Sequence, residues 1–555
     1  MTNTQSVVFK DLGLLLALLL CFCGYGLGDR ALSTPDEGRY VEIPREMAVT
    51  GDWITPRLNG VQYFEKPPLF YWLQAVTIQI FGIHFWSMRL GVMLFAVLGS
   101  LMVYGAGCAF FTRKTGRYAA GILATTLLYY VHSRFILLDL VVSFFIAGTL
   151  FLAYGALQTP SEKRRSFLLL GAYASAALAC LTKGLIGIVL PGLVFLVWGI
   201  ATGNFLRIFA LFSWRGTALF LLIAAPWHVL VSLRNPGFAH FYFIGEHFLR
   251  YTTSMHARVQ PFYFFLPMLI CGWVPWTSLL GAATIDSLGS WRRMHQHRLS
   301  SAQDHNALFL FLWAASVFLF FSCSQSKLIP YILPLSPPLA LLSAHALVKR
   351  EEQEQKRSFL YLGCGDFVVI ASVFGYGLYR LAQLAPLSSL PTPLLVGALG
   401  FAGVAALCPI FFTNTRGWIL KIAASTQMLL CLNQLSPIVQ ESINPSILPL
   451  AEVVALNLRS EDRILCLDTY FQDLPVYLNR LVDIAGWRGE LAFGIQQENM
   501  EHRIIPAERF WPIFEGAQRV FVFSSKYTYR SYWQIRQFPH RIIAETDDNI
   551  VFVNR

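Results

Sequence analysis

Uncharged apolar stretches of about twenty residues return again and again along the chain, as in LGLLLALLLCFCGYGLG (12–28) and LVVSFFIAGTLFLAYGAL (140–157). A bilayer's hydrocarbon core, about 30 Å thick, takes about 20 helical residues to cross, and within it every backbone polar group must be paired internally. Such runs therefore allow little besides membrane-spanning helices. Candidate spans lie near 12–28, 90–111, 118–132, 136–157, 166–182, 184–201, 214–233, 261–283, 306–323, 329–348, 358–380, 392–412 and 418–436. Composition agrees: charged residues make up 14% of the chain, where soluble domains carry about 25%. The net charge of +11 reads as loop lysines and arginines obeying topology rules, and their scatter between apolar runs excludes a nucleic-acid partner.

The run 69–85 is short and amphipathic, which leaves two topologies. Six basic connectors decide between them: TRKTGR (112–117), SEKRRS (161–166), the TGNFLR turn, WRRMHQHR (291–298), KREEQEQKR (349–357) and TNTRG near 415. With about thirteen spans, a cytoplasmic N-terminus and 69–85 lying in the interface, all six fall on the cytoplasmic side, as the positive-inside rule requires. An uncleaved first helix fits better than a signal peptide, because no small-residue cleavage site precedes Asp29. Residues 1–436 form the transmembrane domain, with a first outer loop over 29–89.

From about 437 to 555 polar turns separate short apolar runs, RILCL (463–467), RVFVF (519–523) and NIVFV (549–553). This pattern predicts a small α/β domain on the outer, periplasmic side. Nine of the ten cysteines lie in or beside apolar segments, Cys466 alone belongs to the polar tail, and no CxxC occurs. Thiolate zinc or redox chemistry is unsupported.

The remaining charges collect at span ends on the outer side. They are Asp36 and Glu37 in STPDEGRYVEI, Glu65 and Lys66 in YFEKPP, Asp139, Lys183 in LTKG, GEHFLRYTTSMHAR (245–258) and Lys327 in SQSKLIPYILP. A lysine or arginine at a helix mouth often only snorkels, but so many on one side point to a site. Thr34 and Pro35 read as the N-cap and first position of a helix with Asp36 and Glu37 in its first turn. Tyr40, Ile43 and Met47 form one stripe of it, as an interface-lying helix requires. Adjacent Glu65 and Lys66 cannot pair along a helix. The two prolines after them favour a loop, where a carboxylate can hold a metal and an ammonium a phosphate. His247 and Arg250, three apart, share a helical face, and Glu and His are divalent-ion ligands.

Taken in order, DEGRYVEIPREMAVTGDWITPRLNG, YFEKPPLFYWL, LLD, LTKG, EHFLRY, GWVPW and KLIPYILP resemble the integral-membrane GT-C glycosyltransferases, in their 4-amino-4-deoxy-L-arabinose lipid A transferase (ArnT) branch, related to protein O-mannosyltransferases. They span roughly residues 30–340, and DTYFQDLPVYLNR and GELAFG in the tail are similar to that branch. The resemblance implies a polytopic α-helical membrane protein of about thirteen spans, two juxtamembrane helices in the first outer loop and a small periplasmic α/β domain. It implies transfer of a sugar, first of all aminoarabinose, from undecaprenyl phosphate to a lipid A phosphate at the periplasmic face of the bacterial inner membrane. Capping that phosphate lowers sensitivity to cationic peptides such as polymyxin.

By the same resemblance Asp36 and Asp139 are the catalytic carboxylates. Lys66, Arg250 and Tyr331 contact the donor phosphate, with Lys183 and Lys327 as further candidates. Glu65 and His247 are ligands of a divalent metal, zinc or similar. The stretch YTTSMHARVQ, with His256 and Arg258, departs from the branch and leaves sugar and acceptor open. Galactosamine, mannose, a protein hydroxyl or a surface glycan would suit the same scaffold. A transporter or flippase is the reading from another class, but it calls for charges near the midplane and internal repeats, whereas here the charges lie at span ends and no repeat is evident.

Overall fold

The computed structural model describes residues 3–249, 259–296, 301–384 and 391–554. The chain forms two compact units, one made of Met1–Leu27, Arg89–Val229 and His240–Ser436, the other of Gly28–Met88, Leu230–Ala239 and Pro437–Arg555.

In the first unit, long apolar helices dominate. Among the described residues of the chain, ten helices are long and apolar enough to cross a membrane, or eleven if Phe262–Gly272 and Thr277–Met294, bent by 115°, count as one span. The other two expected spans are shorter than drawn from sequence. Ile186–Thr202 has 17 residues, about 25 Å of helix. The run 118–132 is split at Thr126 into helices Arg113–Thr125 and Leu127–His132. Thr126 is extended, and the next N–H, that of Leu127, donates 3.0 Å to the carbonyl of Val274 in the break of the bent pair. The two interruptions thus satisfy each other's backbone, as irregular backbone inside a membrane must.

Helices Leu138–Gln158 and Glu162–Lys183 form a tight hairpin of nearly equal arms, 21 and 22 residues. Small residues let them approach: a Cβ on Gly148 would lie 2.6 Å from the Ser175 hydroxyl, which itself donates 2.8 Å to the Phe145 carbonyl. Such contacts hold helices together where lipid removes the hydrophobic drive. Equal arms bring the first turn of one helix beside the last turn of the other, so Asp139 and Lys183 meet.

At the far end of the same unit the basic connectors interlock. Arg113 and Arg117 both grip Asp11, Lys114 pairs with Glu351 at 2.9 Å, Lys349 and Arg350 share Asp286, and Arg293 pairs with Asp304. Four of the six connectors used for the topology, including Thr415 on Glu351, therefore lie within one belt of charges. One expectation fails. Asp366 and Lys421 sit well inside apolar helices, each 1% exposed, and pair at 2.5 Å. The Ser278 N–H donates to Asp366 at 2.8 Å and the ammonium lies 4.8 Å from the Trp276 ring, so partners surround the charges that the bilayer would otherwise exclude.

In the second unit a two-stranded hairpin, β1 (Arg57–Leu58) and β2 (Val61–Gln62), precedes a six-stranded sheet. Its strands are β3 (Arg463–Leu467), β4 (Asp483–Ala485), β5 (Ile504–Ile505), β6 (Val520–Ser525), β7 (Arg541–Glu545) and β8 (Asn549–Val553), in the order β5-β4-β3-β6-β8-β7. The first four in that order run parallel and β8 turns back beside β6, so the three predicted runs become β3, β6 and β8 at the sheet's centre. A core of Leu465, Leu467, Phe510, Phe514, Val522, Phe538 and Phe552 fills one side.

The loop 28–88 groups with this sheet rather than with the spans. Its helix Asp36–Thr50 is buried on every face from Glu37 to Met47, so it is not the half-wet interfacial helix expected from Tyr40, Ile43 and Met47. Burial is tolerated because its polar side is satisfied within the unit. Arg45 forks onto Glu42 at 2.7 Å through both nitrogens, and Glu46 accepts the Gly60 N–H at 2.9 Å. Gly38 allows the approach of a second segment, since a Cβ there would stand 2.6 Å from the Asp473 nitrogen. Helix Leu69–Phe81, 13 residues, is too short to cross a bilayer.

Candidate active site

In the second unit the expected Thr34 cap is absent. Pro35 flanks the helix without a side-chain cap; the Glu37 N–H donates to the Ser33 carbonyl at 2.9 Å, and the Glu37 carboxylate in return accepts the Ser33 N–H at 2.9 Å. Arg30 fixes that carboxylate at 2.7 and 2.9 Å. Asn444 holds the same loop through the Thr34 carbonyl at 2.6 Å. Asp36 is thereby fixed at the helix start, where the dipole favours an anion, with 49% of its side chain exposed.

One turn on, Arg39 is almost buried. Its guanidinium lies 3.7 Å from Asp36 and 2.7 Å from Glu490, and 5.9 Å from the centre of the Tyr63 ring. Glu490 also accepts from Gln472 at 2.9 Å. Burial pushes the Glu490 carboxyl up, Arg39 offsets part of that, and the charges of Glu65 and Asp36 add to it. Glu65 and Lys66 occupy the bend between β2 and helix Leu69–Phe81, both largely covered. The Lys66 ammonium donates 2.7 Å to the Glu65 carbonyl and stands 4.0 Å from its carboxylate. The bend is anchored by Phe64, edge-on to Phe238 at 5.2 Å. Among the described residues, three carboxylates, Asp36, Glu65 and Glu490, and two cations, Arg39 and Lys66, gather here.

In the first unit the structure joins Asp139, expected as a catalytic carboxylate, with Lys183 and Tyr331, both expected at the donor phosphate. Lys183 donates to the Asp139 carboxylate and lies 4.4 Å from the centre of the Tyr331 ring. Asp139 sits in a helix's first turn and Lys183 in another's last turn, each at the end its charge prefers. A small cavity lined by Asp139, Ser143, Lys183, Phe321 and Tyr331 opens at this cluster. Lys327 is engaged otherwise. It donates to the carbonyls of Gln260 at 2.9 Å and Ser324 at 2.5 Å, across the bridge Val259–Ser326, and so acts as a loop staple.

Arg250, His256 and Arg258 lie outside the described residues, as does the side chain of His247. Among the described residues no three His, Cys, Asp or Glu side chains gather as a metal site, and of the two expected ligands only Glu65 can be placed. No catalytic step is assigned to a metal ion here. Sequence reasoning missed Arg39, Gln472 and Glu490. The signal was present, since Glu490 stands in GELAFG and Gln472 in DTYFQDLPVYLNR, but nothing in one chain links either to Asp36.

Residues 16–242 match the family model described as dolichyl-phosphate-mannose-protein mannosyltransferase, and residues 450–555 match the aminoarabinose transferase C-terminal domain. The undecaprenyl phosphate-alpha-4-amino-4-deoxy-L-arabinose arabinosyl transferase of Pectobacterium carotovorum is 31% identical over 429 residues, covering 75% of this chain and 73% of the relative. A Proteus mirabilis protein named undecaprenyl phosphate-alpha-4-amino-4-deoxy-L-arabinose arabinosyl transferase 1 is 32% identical over 332 residues, a match spanning 58% of that protein's length. The crystal structure of ArnT from Cupriavidus metallidurans bound to undecaprenyl phosphate superposes with a TM-score of 0.80 at 28% identity, over 98% of both chains. The fold is that of the multi-pass GT-C glycosyltransferases. The chain belongs to the undecaprenyl phosphate-aminoarabinose arabinosyl transferase family.

Proposed function

We propose that this protein transfers 4-amino-4-deoxy-L-arabinose from undecaprenyl phosphate to a phosphate of lipid A at the periplasmic face of the inner membrane. The observation that carries the reading is the half-exposed Asp36 carboxylate, only loosely paired with Arg39 in a cluster of three carboxylates and two cations. A carboxylate so open to solvent and so loosely paired suits a sugar that brings an ammonium group. Family membership and the whole-chain likeness to ArnT support the donor.

In the reaction the bond between the sugar's anomeric carbon and the donor phosphate oxygen breaks, and the electron pair leaves with undecaprenyl phosphate. An oxygen of the acceptor phosphate forms the new bond. That oxygen is already anionic, so no general base is required, and the enzyme's task is to place the reactants and stabilise charge on the leaving phosphate. By the motifs that carry them, YFEKPP, EHFLRY and KLIPYILP, Lys66, Arg250 and Tyr331 are the residues we assign to that phosphate. Asp36 holds the sugar amine. Asp139 holds Lys183 in place by accepting from its ammonium, which makes Lys183 a supporting residue. Glu65 and His247 are the residues that would hold a divalent ion.

The test is a reconstituted assay with purified full-length protein, undecaprenyl-phosphate aminoarabinose and lipid A. Formation of aminoarabinose-modified lipid A supports the reading. Transfer only to a protein hydroxyl or a glycan, or only from a neutral sugar, overturns it.

A further inference from the structure

We propose that Glu490 is a positioning residue of the transfer reaction: it holds Arg39 away from Asp36, so that the Asp36 carboxylate is free to face substrate. The inference rests on the reading of Asp36 given above. A buried guanidinium must be paired, and Arg39 has two carboxylates in reach. Glu490 takes it at 2.7 Å, while Asp36 stands at 3.7 Å with half its side chain in solvent. Gln472, itself buried, donates 2.9 Å to the other Glu490 oxygen and fixes the carboxylate's direction. The residue after Gln472 abuts Gly38, so one segment sets both the Asp36 helix and the clamp on Arg39. Glu490 reaches Arg39 from 451 positions away in sequence, so a mere fold staple is the competing role, and the two roles predict different behaviour.

When Glu490 loses its charge, the nearest anion within a turn of Arg39 is Asp36, and closure of the 3.7 Å gap sequesters it. Removing Arg39 as well releases Asp36 again. The Glu490→Gln variant is therefore expected to lower kcat about 10- to 100-fold, the scale of a misplaced reactive group, with the donor KM changed less than about 3-fold. The Arg39→Gln/Glu490→Gln double variant is expected to be more active than Glu490→Gln alone. Gln472→Ala, a milder loosening of the same clamp, falls between wild type and Glu490→Gln.

A second readout needs no substrate. Carbodiimide coupling of an amine to Asp36 in the full-length protein in detergent, quantified by peptide mass spectrometry, falls in Glu490→Gln and recovers in the double variant. A double variant no more active and no more labelled than Glu490→Gln overturns the proposal in favour of a staple, as does a Glu490→Gln variant with wild-type kcat and labelling. A wild type that transfers no aminoarabinose overturns the substrate reading instead, and the labelling experiment still decides the role of Glu490.

Discussion

Lys183 and Asp139, 44 positions apart, form an ion pair at one end of a helix hairpin, with the ammonium 4.4 Å from the Tyr331 ring. Two consequences follow from how covered the pair is, with side chains 15% and 12% exposed. Removing one partner leaves a poorly solvated charge. Asp139→Asn or Lys183→Met alone is expected to destabilise by about 2 kcal/mol, below the range for a fully buried pair. The Asp139→Asn/Lys183→Met double variant should recover most of that in a detergent melting experiment, yet remain impaired in transfer.

Asp473 gives the protein a stability that depends on pH. It is fully buried and neither carboxylate oxygen has a hydrogen-bond partner, although the hydroxyls of Thr34 and Tyr477 face it without closing a bond of good geometry. Burial pushes its carboxyl up to about 7. The folded state therefore holds the proton more tightly than the unfolded chain. The contribution is fully present below about pH 4 and is lost as pH rises through about 7, with a slope of at most about 1.4 kcal/mol per pH unit. Melting temperature should fall between pH 5 and pH 8, and Asp473→Asn should flatten that fall.

Gly38 is required by space. A Cβ would stand 2.6 Å from the Asp473 nitrogen and 2.8 Å from the Gln472 carbonyl carbon, both backbone atoms that cannot swing aside. Gly38→Ala should cost about 1–3 kcal/mol. It should lower transfer further by shifting the helix that carries Asp36, read as a fall in both melting temperature and kcat.

Asp36→Asn and Lys66→Ala should each abolish transfer while leaving membrane insertion unchanged. Asp36 is half-exposed, so its loss costs the fold little. Lys66 is as covered as Lys183, its side chain 14% exposed, so Lys66→Ala is expected to lower the melting temperature somewhat, and its turnover is read per folded protein. Near-normal turnover in either variant would count against the site.

The apolar runs announced most of the helices, and RILCL, RVFVF and NIVFV announced the strands at the sheet's centre. The strands without such runs escaped. β4 has three residues and β5 two, and β7 lies at the sheet's edge, with both end residues, Arg541 and Glu545, exposed. The Thr34 cap failed because the Glu37 and Arg39 N–H groups of the first turn are already met by the Ser33 and Pro35 carbonyls. The interfacial reading of the Asp36 helix failed because pairing of its own charges lets it be buried. Single site residues were legible through their motifs. Their pairings were not, because Arg39–Glu490 and Asp139–Lys183 join distant segments and helix periodicity speaks only for neighbours.

Placement of aminoarabinose on lipid A is read most directly by mass spectrometry of lipid A from cells with the gene, without it, and with the Asp36→Asn allele. Lipid A species heavier by one 4-amino-4-deoxypentose are expected in the first strain alone. An identical lipid A profile in all three strains, with the protein present in the membrane of the first, would contradict that placement.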